Sequence, residues 1–233
     1  YLFAENYVLF DKKALWSNTN ESIFETKPKL INRQTGSSLI VALDEKGYYC
    51  LDSTHCQIQI TDDIHIKSLL CIENSKLINF IYNYLVSESN RVFAQVKTVY
   101  LKKLPIVLPK EEALFIEKAD FMLQLSEKLA KKIQTFFDRV NANFEIDKWT
   151  KKMSLFYQYD FKTFIGELKK KKIKLSLLQQ DEWQEYFNIY RQIIAEIRTE
   201  IHEVEHEIDT MVYDLYGLTK EEIRVIEQKK ISN

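Results

Sequence analysis

WQEYFNIYRQIIAEIRTEIHEVEHEIDTMVYDL, Trp183–Leu215, is the stretch that decides the fold of this 233-residue chain. Apolar side chains recur in it at alternating steps of four and three, which places them on one face of an α-helix. We predict a long helix over about 181–216, with Asp181 as its N-cap and Gly217 as its C-cap. The apolar seam of this helix should pack against a partner helix, as in a coiled coil.

The same stretch contains HEVEH, His202–His206, the pattern with which zinc peptidases place two imidazoles on one helix face. In the predicted register Val204 belongs to the buried seam, whereas a peptidase helix must line an open cleft. The two histidines should therefore flank the seam at the surface. A zinc peptidase remains a distant alternative, and we predict no metal ligands and no catalytic residues in this chain.

An amphipathic segment without glycine or proline supplies the partner for this helix. We predict a helix over about 110–143 that lies antiparallel to the long helix, and a connector over about 144–180 between them. The connector carries aromatic side chains and the run KKKKIK at Lys169–Lys174, a pattern more typical of a solvated helix end than of a nucleic-acid contact. A capping box at Thr219 predicts a short terminal helix over about 219–229.

The N-terminal part of the chain has the residue pattern of strands and turns. SLIVAL (Ser38–Leu43), the turn DEKG and YYCL (Tyr48–Leu51) predict a β-hairpin, and QIQI (Gln57–Ile60) predicts a further strand. An amphipathic helix should cover Ile66–Leu85. The β-branched run Gln95–Pro109, which ends in prolines, should be an edge strand or an extended exit from the lobe.

These segments together predict an α+β fold class. A β-rich lobe should occupy residues 1–109, and a helical region should occupy 110–233. The helical region should consist of two long antiparallel helices with a small helical, aromatic connector and the short terminal helix.

Composition excludes several classes of protein. The formal net charge is -1, so a basic surface must be local. Only 4 glycines leave little material for a phosphate-binding loop, and 3 cysteines without CxxC spacing fit reduced thiols. No apolar run is long enough to cross a membrane, so we expect a cytoplasmic protein without a membrane partner. The chain opens at Tyr1 in strand-like sequence, which suggests a fragment of a larger protein.

Two stretches resemble one known family. They are KPKLINRQTGSSLIVALDEKGYYCLDSTH (Lys27–His55) and EIDTMVYDLYGLTKEEIRVIE (Glu207–Glu227). Both are similar to the TaqI-like C-terminal specificity domain, the target recognition domain of type II (including type IIG) restriction-modification enzymes and adenine-specific DNA methyltransferases. The segments Asn74–Leu85, Val96–Pro109 and Phe161–Phe187 resemble the same family in the same order.

The resemblance implies sequence-specific recognition of double-stranded DNA by the β-rich lobe. It also implies helices that brace this lobe against the methyltransferase domain of the same chain, where adenine N6 is methylated. The NPPY motif, the S-adenosylmethionine loop and the nuclease motif are missing from the sequence. We therefore expect no cofactor in this fragment. S-adenosylmethionine, and Mg²⁺ if a nuclease is present, would belong to the parent protein.

The loop INRQTGSS (Ile31–Ser38) carries the predicted DNA contacts. Arg33 suits a phosphate or a guanine edge, the amides beside it suit adenine, and the hydroxyls and the Gly36 backbone suit phosphates. A structural role for Arg33, as the cap of a β-turn, is almost equally favoured. The DNA-binding candidates are Asn32, Arg33, Gln34, Thr35 and Ser37 in the loop, and Lys97 and Lys103 on the exit strand.

The alternative function is a helical protein-interaction module with the β-rich lobe as its platform. A basic face on the lobe would favour DNA, whereas an exposed apolar stripe left on the helices would favour a protein partner.

Overall fold

The computed structural model of the protein describes residues 11, 13, 20–36, 38–51, 53–86 and 96–228. Two compact units divide the chain: one contains residues 1–121 and 205–233, and the other contains 122–204. The C-terminal part packs with the N-terminal part of the chain, where the Asp209 carboxylate accepts the backbone N–H of Lys76 at 2.8 Å.

A three-stranded antiparallel sheet lies in the first unit. The strands are β1 (Lys29–Arg33), β2 (Val41–Asp44) and β3 (Thr54–Gln57), in the order β2-β1-β3. In the register of the central strand, Leu30 faces Leu43 on one side and Gln57 on the other. Leu30 and Ile31 of β1 are buried, so the central strand contributes apolar side chains to the core of this unit.

The helices, in chain order, are α1 (Glu21–Glu25), α2 (Ile66–Asn74), α3 (Lys76–Leu85), α4 (Thr98–Leu101), α5 (Ala113–Phe144), α6 (Lys151–Ser154), α7 (Phe161–Lys170), α8 (Leu177–Leu215) and α9 (Lys220–Gln228). A 3-10 turn at Phe156–Gln158 lies between α6 and α7. No helix among the described residues has the length and apolarity needed to cross a bilayer.

The sheet and the long helices confirm the α+β class, but one predicted strand pairing and the position of one predicted strand are wrong. The segment 48–51 forms no strand, and β2 pairs with β1 instead. The Asp44 carboxylate accepts three backbone N–H groups of the following turn, which leads the chain away from the sheet immediately after β2. The strand predicted at 57–60 begins earlier, at Thr54, and ends at Gln57.

Two other predictions for the first unit also differ from the structure. The helix predicted over 66–85 is divided at Ser75, which adopts an extended backbone and caps α3 through its hydroxyl. The run predicted as an edge strand contains the helical turn α4 instead, followed by irregular backbone from residue 104 to 112. Its β-branched residues favour strands only where a neighbouring strand is available for pairing.

The second unit is built on the antiparallel parts of α5 and α8. Phe144 near the end of α5 contacts Trp183 near the start of α8, with ring centroids 4.9 Å apart. Lys128, earlier in α5, pairs with Glu200, later in α8, at 3.9 Å. This opposite order confirms the predicted antiparallel arrangement within the unit.

Aromatic side chains from the connector fill the core of the second unit. Phe136 of α5 is fully buried and stacks on Phe156, with centroids 3.7 Å apart, and Phe164 and Phe187 contact the same cluster. The connector is therefore a packed part of this unit.

Candidate nucleic-acid interface

The loop after β1 is fixed through its backbone to two distant segments. The Gln34 N–H donates to the carbonyl of Ser53 at 2.7 Å, and the Gln34 carbonyl accepts the N–H of Val96 at 2.6 Å. The carbonyl of Val96 lies 2.8 Å from a ring nitrogen of His55 on β3. Because Val96 is held in this way, the following Lys97 is placed beside the loop.

Arg33 lies against the backbone of its own loop. A Cβ placed on Gly36 would lie 2.8 Å from both Nε and Nη2 of Arg33, so a side chain at position 36 would displace the guanidinium. Within the described part of the chain, Nε of Arg33 is buried and has no hydrogen-bond partner. This position agrees with the alternative in which Arg33 organises the turn.

The other predicted loop residues differ in their accessibility. Thr35 and Lys97 are exposed, and Gln34 is half-buried. The structure thus brings Gln34 and Thr35 of the loop close to Lys97 of the segment 96–109, which we call the exit segment. Ser37 lies outside the described residues.

Asn32 does not lie at a surface, contrary to its prediction as a base-reading residue. It is 0% exposed, and its Oδ1 accepts a hydrogen bond from Nε2 of Gln57 at 3.2 Å. Because Asn32 immediately precedes Arg33 on a strand, their side chains point to opposite faces of the sheet. Asn32 therefore supports the sheet beneath the loop.

A buried carboxyl group completes the polar cluster around Asn32. Glu73 of α2 accepts a hydrogen bond from Nε2 of Gln57 at 3.0 Å and is 6% exposed. Burial raises the pKa of Glu73 to about 7, and the hydrogen bond from Gln57 offsets only part of this effect. No residue pattern predicts this cluster, because Glu73 lies in a segment with an ordinary amphipathic pattern.

A buried ion pair fixes the other end of β1. Lys29 is 0% exposed, and its Nζ lies 2.5 Å from Oδ2 of Asp44 and 2.5 Å from the carbonyl oxygen of Phe24. The Asp44 carboxylate also accepts the backbone N–H groups of residues 46, 47 and 48 at 2.8, 3.0 and 2.7 Å. The ion pair thus joins the central strand to the turn after β2.

This turn presents two tyrosines to solvent. Tyr48 and Tyr49 are both exposed, whereas their adjacent positions in a predicted strand required one of them to be buried. Tyr49 stacks on Phe24, with centroids 5.0 Å apart, and its hydroxyl donates to Glu25 at 3.2 Å. The tyrosines are planar surface groups held by the turn.

Lys103 is exposed but does not lie on a strand with Lys97. Lys97 is the N-cap of α4, and Lys103 follows that helical turn, with its Nζ 6.0 Å from the centre of the Tyr100 ring. The alternation of faces along a strand therefore does not apply to this pair. The structure leaves Lys103 as a separate exposed cation on the exit segment.

The HEVEH motif lies on α8, where Val204 is buried and His202 and His206 are exposed, as the seam predicts. The residues that the structure describes contain no group of three or more His, Cys, Asp or Glu side chains arranged to hold a metal ion.

Comparison with known proteins gives two adjoining matches. Residues 1–106 match the family described as TaqI-like C-terminal specificity domain, and residues 109–212 match a domain of unknown function, DUF8810. No curated protein and no solved structure matches the chain.

Proposed function

We propose that the chain recognises a specific sequence in duplex DNA for a restriction-modification enzyme, because residues 1–106 match the family of TaqI-like C-terminal specificity domains. The recognised site would be presented to an adenine-N6 methyltransferase domain of the same polypeptide, with or without an endonuclease. S-adenosylmethionine, and Mg²⁺ for a nuclease, would bind to those domains. The cytoplasm, where this DNA would be found, is the proposed location.

One structural observation carries the proposal: the loop after β1 and the exit segment meet at Val96. The two backbone hydrogen bonds of Gln34 and the contact of Val96 with His55 place Lys97 next to Gln34 and Thr35. A lysine that contacts phosphates fixes the position of the protein on DNA, while an amide or hydroxyl beside it reads a base edge. Side chains suited to both kinds of contact therefore lie on one small surface.

Replacing Lys97 with alanine tests the phosphate contact. In fluorescence-anisotropy titrations at several salt concentrations, the slope of log affinity against log salt should become shallower by about 0.9. The affinity should fall by the same factor for every duplex, because a phosphate carries no sequence information. An exposed lysine of the second unit, Lys131, provides the matched control, Lys131→Ala. An unchanged salt slope in the Lys97 variant would remove this residue from the interface.

Replacing Gln34 with alanine tests base reading. The hydrogen bonds that anchor the loop use the backbone of Gln34, so truncating its side chain should leave the fold intact. We expect a loss of discrimination against single-base changes at one position of the preferred site, worth about 1–3 kcal/mol. Titration of the preferred duplex and its single-base variants measures this loss. A variant that discriminates as the wild type does would show that Gln34 reads no base.

A protein-docking role for the helices is the second candidate function. Leu177 and Leu178 at the start of α8 are 81% and 69% exposed, and adjacent exposed leucines are typical of a protein contact. A chain that binds no duplex at about 50 mM salt, yet is retained by an immobilised methyltransferase domain, would favour this role over DNA recognition.

A further inference from the structure

The connector of the second unit is strongly basic, whereas the chain as a whole is nearly neutral. Residues 145–180 contain nine lysines and four acidic residues, whereas the whole chain has a formal net charge of -1. Two of the four carboxylates serve the fold: Asp160 accepts the N–H of Thr163 at the start of α7, and buried Glu167 pairs with Lys170 at 2.7 Å. Among the described residues, Lys170 alone of the nine lysines forms an ion pair.

Five of the nine lysines, Lys162 and Lys169–Lys172, belong to α7 or to its C-terminal end. Phe164, Ile165 and Leu168 bury one face of α7, and Lys162 and Lys169 lie exposed on the other. Seven residues separate them, which is two helical turns, so they lie on one line along the helix. Lys172 follows the last turn and is also exposed. We call Lys162, Gly166, Lys169 and Lys172 the α7 lysine face.

Gly166 lies on this line between the two lysines, where the fold does not require a glycine. No atom lies within 4 Å of a Cβ placed at this position, so a side chain would have open space. Glycine is also the poorest helix former apart from proline. A glycine in the middle of an exposed helix face lets another molecule approach the helix backbone closely.

At Lys172 a lysine occupies a position whose backbone conformation favours glycine, whereas at Gly166 a glycine occupies a helical position that favours other residues. Lys172 adopts a left-handed backbone with φ 65°, in the position after a helix where glycine is usual. The Ile173 N–H donates to the Leu168 carbonyl at 3.1 Å, which completes the helix end. A lysine in this backbone conformation costs stability that glycine would not, and such departures from local preference are typical of functional sites.

We propose that the α7 lysine face binds the phosphate backbone of duplex DNA, as a second contact that carries no sequence information. This inference rests on the proposed function, which makes DNA the polyanion that the chain meets. Lys162, Lys169 and Lys172 supply the charges, and Gly166 allows the phosphate backbone to come close to the helix. Such contacts add affinity for every sequence and leave discrimination to the loop after β1.

The test uses a variant that is designed to fold well: Lys162→Ala, Lys169→Ala and Lys172→Gly together. Alanine favours the helix and glycine suits the left-handed position, so the thermal midpoint should not fall. Anisotropy titrations with a random-sequence duplex should show a salt slope shallower by about 2.7. The matched control replaces three exposed lysines elsewhere, namely Lys110, Lys131 and Lys220, with alanine and should keep the wild-type slope.

A second pair of variants tests close approach without changing charge. Gly166→Leu has open space in the folded chain, so it should fold normally and bind the random duplex more weakly than Gly166→Ala does. If the triple variant and Gly166→Leu both kept the wild-type affinity and salt slope, the inference would be wrong. An acidic protein would then be the expected partner of the α7 lysine face. A wild-type chain that binds random duplex through this face but prefers no sequence would instead contradict the proposed function alone.

Discussion

Replacing Lys29 with methionine is expected to lower the free energy of unfolding by about 3–5 kcal/mol. Methionine fills a similar volume, but it leaves the buried carboxylate of Asp44 without its cation. Lys29 is fully buried, and its Nζ lies 2.5 Å from the Asp44 carboxylate. The desolvation of an unpaired buried charge, rather than lost packing, is therefore the expected cause.

Chemical denaturation at neutral pH measures this effect. Burial acts to raise the pKa of Asp44, but hydrogen bonds from Lys29 and from the backbone N–H groups of Lys46 and Tyr48 outweigh it, and the pKa lies below its ordinary value. Stability from the ionised carboxylate is thus present above the unfolded-state pKa and is lost as pH falls through the folded-state pKa. Neutral pH therefore reports the full effect.

Lys46→Ala is the matched control, because Lys46 lies in the same turn with an exposed side chain. It should change the free energy of unfolding by less than about 0.5 kcal/mol. If Lys29→Met cost no more than this control, the ion pair would not hold β1 to the turn. The loop after β1 would then depend on other contacts for its position.

Glu73 is expected to make the stability of the protein fall as pH rises from about 4.5 to about 7. Burial raises the pKa of the folded-state carboxyl to about 7 from its model-peptide value of 4.5. Over this range the folded state binds more protons than the unfolded state, so stability is greatest below the lower value and decreases up to the higher one. The expected decrease is on the order of 3 kcal/mol.

Glu73→Gln isolates this contribution. Glutamine keeps an oxygen that can accept the hydrogen bond from Gln57 but has no proton to lose, so the variant should lack this part of the decrease. Denaturation curves at pH 5 and pH 8 for both proteins give the comparison, with the exposed Glu117→Gln as the control for loss of one carboxyl. Equal pH dependence in wild type and Glu73→Gln would show that Glu73 is solvated in solution.

The long helices could be predicted from the sequence because their signal is local. Apolar residues recur at steps of four and three along α8, and the observed helix Leu177–Leu215 overlaps nearly all of the predicted 181–216. It begins about one turn earlier than predicted, so Asp181 lies within the helix and is not its N-cap. Val204 is buried and the histidines of HEVEH are exposed for the same reason. Thr219 caps α9, where the Glu222 N–H donates to the Thr219 hydroxyl at 3.3 Å.

The arrangement around the sheet could not be predicted because it depends on partners distant in the chain. β1 pairs with both β2 and β3. The strand-like residues of 48–51 do not indicate the ion pair between Lys29 and Asp44, which stabilises the turn that directs this segment away from the sheet. From the sequence alone Lys29 would be predicted to lie at the surface, whereas in the structure it is buried and paired with Asp44. Asn32 resembles a loop amide until Gln57 fixes it beneath the sheet.

The candidate site was only partly predictable for the same reason. Residue type alone predicts Gln34 and Thr35 as candidates. Their proximity to the segment that contains Lys97 follows from hydrogen bonds of Gln34 to Ser53 and Val96 that no local pattern indicates. The candidate surface is thus formed by long-range contacts between short segments.

Selection from a randomised duplex library tests the central claim most directly. The chain is incubated with the library at low salt, bound duplexes are recovered and sequenced, and the cycle is repeated with Gln34→Ala. Recognition of a specific sequence predicts that one motif is enriched by the wild type, and that its preference at one position is lost in the variant. Binding without enrichment of any motif, or no binding even at about 50 mM salt, would contradict a specificity domain.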